Sequence, residues 1–262
     1  EYVLINGNQI VMIFLNYLMT RNTELGTLTG NEYIVKTIVT TETIRTIAEA
    51  QHIKMYDCFT GFKWIANVMR ENEGKARYLG GGEESYGFLA EDFVRDKDSV
   101  SAISLMAEIA AWAKDKGLNM TDMLIDIYMK YGFSREKGIS LVRKGKSGAE
   151  EIIALMKQFR ENPPKEIAGS PVVTVKDFQS LVETNVATGE TKKLDMPTTS
   201  NVLQYYTADR TKVSVRPSGT EPKIKFYIEV HDNLASADEY KATEARADEK
   251  INRIAKEFGI TK

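Results

Sequence analysis

The sequence predicts an α/β fold: a parallel-sheet α/β domain followed by a smaller α+β domain with an antiparallel sheet. Three observations predict it. Up to residue 131, short β-branched runs alternate with stretches of helical period, the pattern of strands joined by crossover helices. Residues 136–170 interrupt that rhythm with Pro163-Pro164 and Gly169-Ser170-Pro171, which read as a linker and hinge zone. Beyond them short strands succeed one another, and the last stretch is helical, as in an antiparallel sheet backed by helices.

The elements follow in order. Residues 1–7 read as a strand and 9–20 as a helix, together the end of a preceding domain. The first complete domain is then placed at 31–135. Its strand at 33–40 is β-branched, and Thr41 or Glu42 opens a helix through Ile44, Ile47 and Ala48. A strand at 54–59 leads to a helix from Gly61 through Ile65, Val68 and Met69, and a further strand is placed at 76–79. Helices at 100–114 and 121–131 complete the domain, the former capped by Asp98. Within the linker zone, 138–142 reads as a strand and 149–160 as a helix ending ahead of the prolines. The second domain, 171–262, carries strands at 172–175, 202–206, 212–215 and 224–230. Ser236 and Glu239 form the pattern of a capping box for a last helix with an apolar stripe of Tyr240, Ala247, Ile251, Ile254 and Phe258.

Composition narrows the function. Lys and Arg total 35 against 37 acids, a net charge of −2, which excludes general attraction to nucleic acid or membrane. Yet Arg210, Lys212, Arg216, Lys223 and Lys225 crowd together with only Glu221 among them, a local basic pocket suited to a small anion. Cys58 is the only cysteine, so no intrachain disulfide forms and a cytoplasmic location is expected; its apolar neighbours mark it as a buried hydrophobe. The apolar run 11–19 is too short to span a bilayer.

The segment Arg216-Pro217-Ser218-Gly219-Thr220-Glu221-Pro222 assembles an anion receptor. Arg216 offers a planar fork for two phosphate oxygens, Ser218 and Thr220 add hydroxyls, and Gly219 lets its N–H approach closely. The plainer reading is a hairpin turn, since Ser, Gly and Pro dominate turns. Upstream, Gly80-Gly81-Gly82-Glu83-Glu84-Ser85-Tyr86-Gly87 reads as a tight glycine turn presenting carboxylates and a hydroxyl, groups that suit vicinal sugar hydroxyls. Thr60-Gly61-Phe62-Lys63-Trp64 opens a helix, either as an anion-facing N-terminus or as a plain cap. Arg95-Asp96-Lys97-Asp98 precedes the next helix as a solvated start.

The run from Arg216 closely resembles the phosphate-binding loop of the α-D-phosphohexomutase family, the phosphoglucomutases and phosphomannomutases. The family's Arg, Ser, Gly and Thr fall on Arg216, Ser218, Gly219 and Thr220, and a second basic residue, often Arg in relatives, falls on Lys225. Glu83 and Ser85 match its sugar-binding Gly-Glu-x-Ser-x-Gly loop, and Glu84 between them resembles the glucose-preferring members. Thr60, Gly61 and Lys63 match a Thr-Gly-x-Lys segment that borders the sugar, and Lys97 matches a substrate-reaching Lys. The wording around Thr60 is closest to the phosphopentomutase-type branch, which keeps pentose phosphates open beside glucose and mannose phosphates.

The resemblance implies the C-terminal half of such an enzyme. The family's phosphoserine loop, Ser-His-Asn-Pro, and its magnesium loop, Asp-x-Asp-x-Asp-Arg, do not occur in the sequence, whose histidines are His52 and His231. No catalytic or metal-ligating residue is therefore assigned. Magnesium and the intermediate glucose 1,6-bisphosphate are implied for the full-length enzyme, with N-terminal domains of the same polypeptide as partners. The expected function is the substrate-recognition half of a mutase interconverting glucose 1-phosphate and glucose 6-phosphate, with the small sugar phosphate as its ligand. The chain itself is expected to be an inactive truncation or proteolytic fragment. The rival is a non-catalytic sugar-phosphate binding module, against which the remnant at 1–22 counts.

Overall fold

The computed structural model of the chain describes residues 3–143, 145–219 and 221–260. The chain divides into two units, Glu1–Phe133 with Leu234–Tyr240, and Ser134–Asn233 with Lys241–Lys262.

In the first unit, Val3, Leu4 and Ile5 look like strand, yet residues 3–6 form none, and Val3 and Leu4 are exposed. Asn6 decides the local structure. Its side chain accepts from Gln9 N–H while the Gln9 side chain accepts from Asn6 N–H, a reciprocal capping box that starts helix α1 at Gly7–Glu24. Nor does α1 behave as a remnant of another domain. Val11, Leu15 and Met19 are buried, and the helix packs on the sheet of this unit and on its helices.

The sheet is built from β1 (Glu32–Thr37), α2 (Thr43–Ala50), β2 (Lys54–Cys58), α3 (Phe62–Asn72), β3 (Arg77–Gly82) and β4 (Phe88–Ala90), followed by α4 (Ser99–Asp115) and α5 (Met120–Tyr131). Its strand order is β2-β1-β3-β4, with β1 parallel to both neighbours and β4 antiparallel to β3. Every residue of the central strand β1 is buried, as a sheet covered on both faces requires. One face packs Tyr33, Val35 and Tyr78 with Phe62, Ile65 and Met69 of α3. Cys58 lies in the same cluster, and burial pushes its thiol well up, the behaviour of a hydrophobe and not of a nucleophile.

Gly80, Gly81 and Gly82 form no turn; they are the end of β3. Side chains alternate across a strand, so Gly80 and Gly82 face α1 and Gly81 faces the α3 side. A Cβ on Gly82 would lie 2.6 Å from Val11 Cγ2, and one on Gly81 would lie 2.6 Å from both the Val35 carbonyl oxygen and the Tyr78 hydroxyl. At Gly81 and Gly82 the neighbouring strand and the helix come too close for a side chain.

Lys36, on β1, is fully buried yet charged. Its ammonium lies 2.9 Å from Glu42 and 2.9 Å from Asp57, and Arg45 pairs with both carboxylates from the outer side. Two anions and two cations thus close a network beside the carboxyl ends of β1 and β2. Asp98 caps α4 as expected, accepting from Ser101 N–H at 2.7 Å, and hydrogen bonding from the Ser101 hydroxyl and backbone holds its carboxyl below the usual range.

The second unit contains β5 (Phe133–Val142), α6 (Gly145–Glu161), β6 (Glu166–Ile167), β7 (Ser170–Asp177), β8 (Val182–Asn185), β9 (Thr191–Lys193), β10 (Leu203–Thr207), β11 (Lys212–Pro217), β12 (Lys223–Asp232) and α7 (Tyr240–Glu257). The sheet order is β5-β12-β11-β10-β7-β8-β9, with β6 paired to β7. The stretch expected to be a linker, 136–170, is built into this unit: β5 is an edge strand and α6 packs on β11 and β12. Alternation divides the sheet cleanly. Val213, Val215, Tyr205, Phe226 and Ile228 are buried, with Phe159 of α6 and Phe258 in edge contact with Phe226. Lys212, Ser214 and Arg216 point the other way, opposite Glu229, Tyr227 and Lys225. The expected capping box at Ser236 does not form. Ala237–Glu239 tightens into a 3₁₀ turn, Ser236 makes no side-chain cap, and α7 begins at Tyr240.

Candidate functional site

In the first unit, two motifs separated in sequence meet at one carboxylate. Gly61 has φ 105°, open to glycine alone, and caps α3 without help from a side chain. Its N–H donates to Glu83 Oε1 at 2.8 Å. Glu83 is 6% exposed, held in a turn whose ends are Glu83 N–H to the Gly87 carbonyl at 2.8 Å and Tyr86 N–H to the Glu83 carbonyl at 3.2 Å. Its second oxygen, Oε2, sits 2.8 Å from where a Gly87 Cβ would be, and Lys97 Cδ sits 3.0 Å from the same point. Lys97 is exposed, with its ammonium 5.8 Å from the Phe62 ring centre and 3.5 Å from Asp96 Oδ1. Asp98 N–H donates to the Phe88 carbonyl and ties the Lys97 segment to β4.

Thr60, Gly61, Glu83 and Lys97 are thus brought together, and Ser85 is exposed at the tip of the same turn. A fixed, nearly buried carboxylate beside an exposed ammonium and a hydroxyl is a set of acceptors and donors for a polyol. Lys63, with Ala66, Asn67, Arg70 and Arg95, lines a depression of about 240 Å³. Glu84 is half-buried and turned away from that turn's tip, its Oε2 accepting from Thr37 Oγ1 at 3.2 Å and Thr40 Oγ1 at 3.5 Å. Sequence reading missed Thr37 and Thr40, two threonines that flank the apolar pair Ile38-Val39 at the end of β1 and carry no mark of their own.

In the second unit, Arg216 and Lys225 are direct cross-strand neighbours on β11 and β12. Two cations side by side on one sheet face are donors of the kind that suits an anion. Ser218 N–H donates to the Lys223 carbonyl at 2.8 Å, closing the loop, and Arg143 N–H donates to the Pro222 carbonyl at 2.9 Å, tethering it to the end of β5. Gly219 is exposed with open space around it. Thr220 lies outside the described residues. Glu221 pairs with Lys223, and that hydrogen bond, with Lys225 adding to it, holds the Glu221 carboxyl below its usual range. Behind the two cations the same face continues as a polar lattice: Gln204 Nε2 to Ser214 Oγ at 2.8 Å, Tyr206 hydroxyl to Gln204 Oε1 at 3.1 Å, and Lys212 to Glu229 at 2.8 Å. Among the described residues no group of three or more His, Cys, Asp or Glu side chains is arranged to hold a metal, and no helix is long and apolar enough to cross a membrane.

Two domain models match the chain: phosphoglucomutase/phosphomannomutase, alpha/beta/alpha domain III, over residues 6–131, and the phosphoglucomutase/phosphomannomutase C-terminal domain over residues 156–247. A phosphoglucomutase of Staphylococcus epidermidis is 35% identical over 223 residues, covering 85% of this chain and 40% of the relative. One of Staphylococcus aureus is also 35% identical, covering 85% and 39%. Among solved structures, the open form of parafusin (phosphoglucomutase) from Paramecium superposes with a TM-score of 0.62 at 17% identity, over 96% of this chain and 42% of that one. A phosphoglucomutase/phosphomannomutase family protein of Burkholderia thailandensis gives 0.54 at 17% identity, over 97% and 42%. The chain therefore spans about two fifths of the length of the curated relatives it matches.

Proposed function

The chain belongs to the phosphoglucomutase/phosphomannomutase family, as its α/β/α domain III and C-terminal domain, and on that premise we propose that it is the substrate-recognition part of a mutase acting on glucose 1-phosphate and glucose 6-phosphate. Glu83 and Ser85 accept and donate hydrogen bonds to sugar hydroxyls, with Thr60, Gly61 and Lys97 bordering them. Arg216, Lys225 and the backbone of Ser218 and Gly219 take the phosphate that is not being transferred. The observation that carries the reading is the Gly61–Glu83 hydrogen bond, which joins two distant motifs at one carboxylate. Lys63 lines a neighbouring stretch of α3 with Arg70 and is the outermost member of the set.

Phosphoryl transfer of this kind rests on positioning and charge neutralisation. Within this chain, Glu83 orients the sugar ring and Arg216 with Lys225 neutralises a phosphate dianion. The phosphoserine, the magnesium ligands and priming by glucose 1,6-bisphosphate are assigned to the preceding domains of a longer polypeptide. Alone, the chain should bind sugar phosphate weakly, with a dissociation constant near ~1 mM, or about 4 kcal/mol.

Titration followed by amide NMR tests this. Glucose 1-phosphate should shift Gly61, Ser85 and Gly219, whereas inorganic phosphate should shift Gly219 alone. A response at Gly219 with silence at Gly61 and Ser85 would reduce the chain to a phosphate binder, and silence at all three would end the proposal.

A further inference from the structure

We infer that the first turn of α1, through Gly7 and Asn8, is a positioning clamp for the loop that carries Glu83; the inference rests on reading Glu83 as the residue that meets the sugar. A Cβ on Gly7 would lie 1.9 Å from the Glu84 carbonyl oxygen, 2.6 Å from its carbon and 2.9 Å from Tyr86 N. All three are backbone atoms, so any side chain at position 7 must displace the loop itself. One residue on, Asn8 Oδ1 accepts the Thr41 N–H at 3.0 Å. Thr41 follows the turn whose Thr37 and Thr40 hydroxyls donate to the Glu84 carboxylate. The helix end therefore governs Glu84 twice, by direct backbone contact and through the threonine turn.

The clamp is itself fixed. Asn6 and Gln9 close their reciprocal cap, and Gln9 Nε2 donates to the Tyr128 hydroxyl of α5 at 3.3 Å. In the run Asn6-Gly7-Asn8-Gln9, the first residue caps the helix, the second allows the close approach, the third tethers the threonine turn and the fourth anchors the whole to α5. Glu84 is covalently next to Glu83, so a shift of Glu84 moves the carboxylate off the Gly61 N–H. Hydrogen bonds weaken steeply with misalignment, so displacements on the order of 1 Å are enough to matter. Gly7 and Asn8 are positioning residues, acting on sugar recognition through a loop.

The test uses the whole chain carrying Gly7→Ala, Asn8→Ala or Asn8→Asp. In Gly7→Ala, the ligand-free Gly61 amide proton should move upfield as its hydrogen bond lengthens. Glucose 1-phosphate should bind about tenfold more weakly, the loss of one charge-assisted hydrogen bond. Inorganic phosphate affinity should stay unchanged. Asn8→Ala should speed exchange of the Thr41 amide and move Gly61 the same way, and Asn8→Asp, which keeps an acceptor, should restore both. A folded Gly7→Ala protein with an unmoved Gly61 amide and unchanged sugar-phosphate affinity would overturn the inference. Should Gly7→Ala fail to fold, unchanged Gly61 and Thr41 amides in Asn8→Ala would overturn it equally. If glucose 1-phosphate leaves the unmodified chain's Gly61 and Ser85 signals untouched, the sugar reading fails, while the ligand-free Gly61 shift still judges the clamp.

Discussion

Replacing Lys36 by methionine should cost the first unit about 3 kcal/mol. The ammonium is fully buried and lies 2.9 Å from each of Glu42 and Asp57. Removing one partner of a buried ion pair costs roughly 3–5 kcal/mol, because the opposite charge loses its compensation. Here the two carboxylates keep Arg45, and their side chains are 18% and 27% exposed, so the lower end of that range applies. Methionine has nearly the length of the lysine stem, so little is added for an empty cavity. The assay is urea unfolding followed by tryptophan fluorescence. The chain has two tryptophans, Trp64 and Trp112, and both belong to the first unit, so the signal reports that unit alone. With an m value of about 1.5 kcal/mol per M, the midpoint should fall by about 2 M at constant m. A fall of less than ~0.5 M would refute the reasoning, since Arg45 and solvent would then suffice to hold both carboxylates. Asp57 lies three residues before Thr60, so the same variant should also blur the Gly61 amide signal.

Other outcomes follow from the two loops and from one turn. Arg216→Ala should weaken binding of inorganic phosphate and glucose 1-phosphate alike by about ten- to a hundredfold, the loss of a bidentate charged contact, and unchanged titrations would remove that loop from the site. Glu83→Ala should weaken glucose 1-phosphate about tenfold and blur discrimination among sugars while sparing inorganic phosphate; equal loss of both would refute the assignment of Glu83 to the sugar alone. A coupled assay converting glucose 1-phosphate to glucose 6-phosphate should show no turnover by this chain with magnesium and glucose 1,6-bisphosphate. Turnover above a no-protein control would place the phosphoryl acceptor and metal ligands within these residues. Asp209 is opposed by burial but held well below the carboxylate range by Lys250, Thr207 and Thr211. A lowered folded value stabilises above the unfolded pKa of about 3.9 and is lost as pH falls below it. Asp209→Asn should therefore cost the second unit about 1 kcal/mol or less near neutrality, discounted for its partial exposure, with the gap closing below about pH 4 in amide-exchange measurements.

The strands with β-branched alternation were legible because their pattern is local: β1, β2, β7, β10, β11 and β12 appear where the periodicity puts them, within a few residues. The hairpin of β8 and β9 was not, because its residues are mostly polar, half-buried in β8 and exposed in β9, and it exists by pairing with β7. The glycines 80–82 mislead for a related reason. Read alone they signal a turn, whereas the cause at Gly81 and Gly82 is the proximity of Val35, Tyr78 and Val11, which only tertiary structure supplies. The start of α1 was legible in the Asn6-x-x-Gln9 spacing, but the apolar residues before it drew the reading toward a strand. In the candidate site, residue types were readable while their partnership was not. The family resemblance set Glu83 and Gly61 beside the same sugar, but no pattern in the sequence gives the direct hydrogen bond between them or turns Glu84 toward Thr37 and Thr40.

The end of β3 has a consequence for inheritance. Every change at the first or second base of a glycine codon that still encodes an amino acid adds a Cβ, and at Gly81 and Gly82 that atom falls within 3 Å of fixed neighbours. Overpacking of this kind costs about 1–3 kcal/mol and sometimes more. Missense alleles here should thus be temperature-sensitive and low in abundance, with residual molecules that bind sugar phosphate normally once folded. They would map next to Glu83 and be mistaken for binding defects, although the lesion is one of space between a helix and a strand. Growth at reduced temperature, or a compensating Val11→Ala change opposite Gly82, would separate the two kinds of allele.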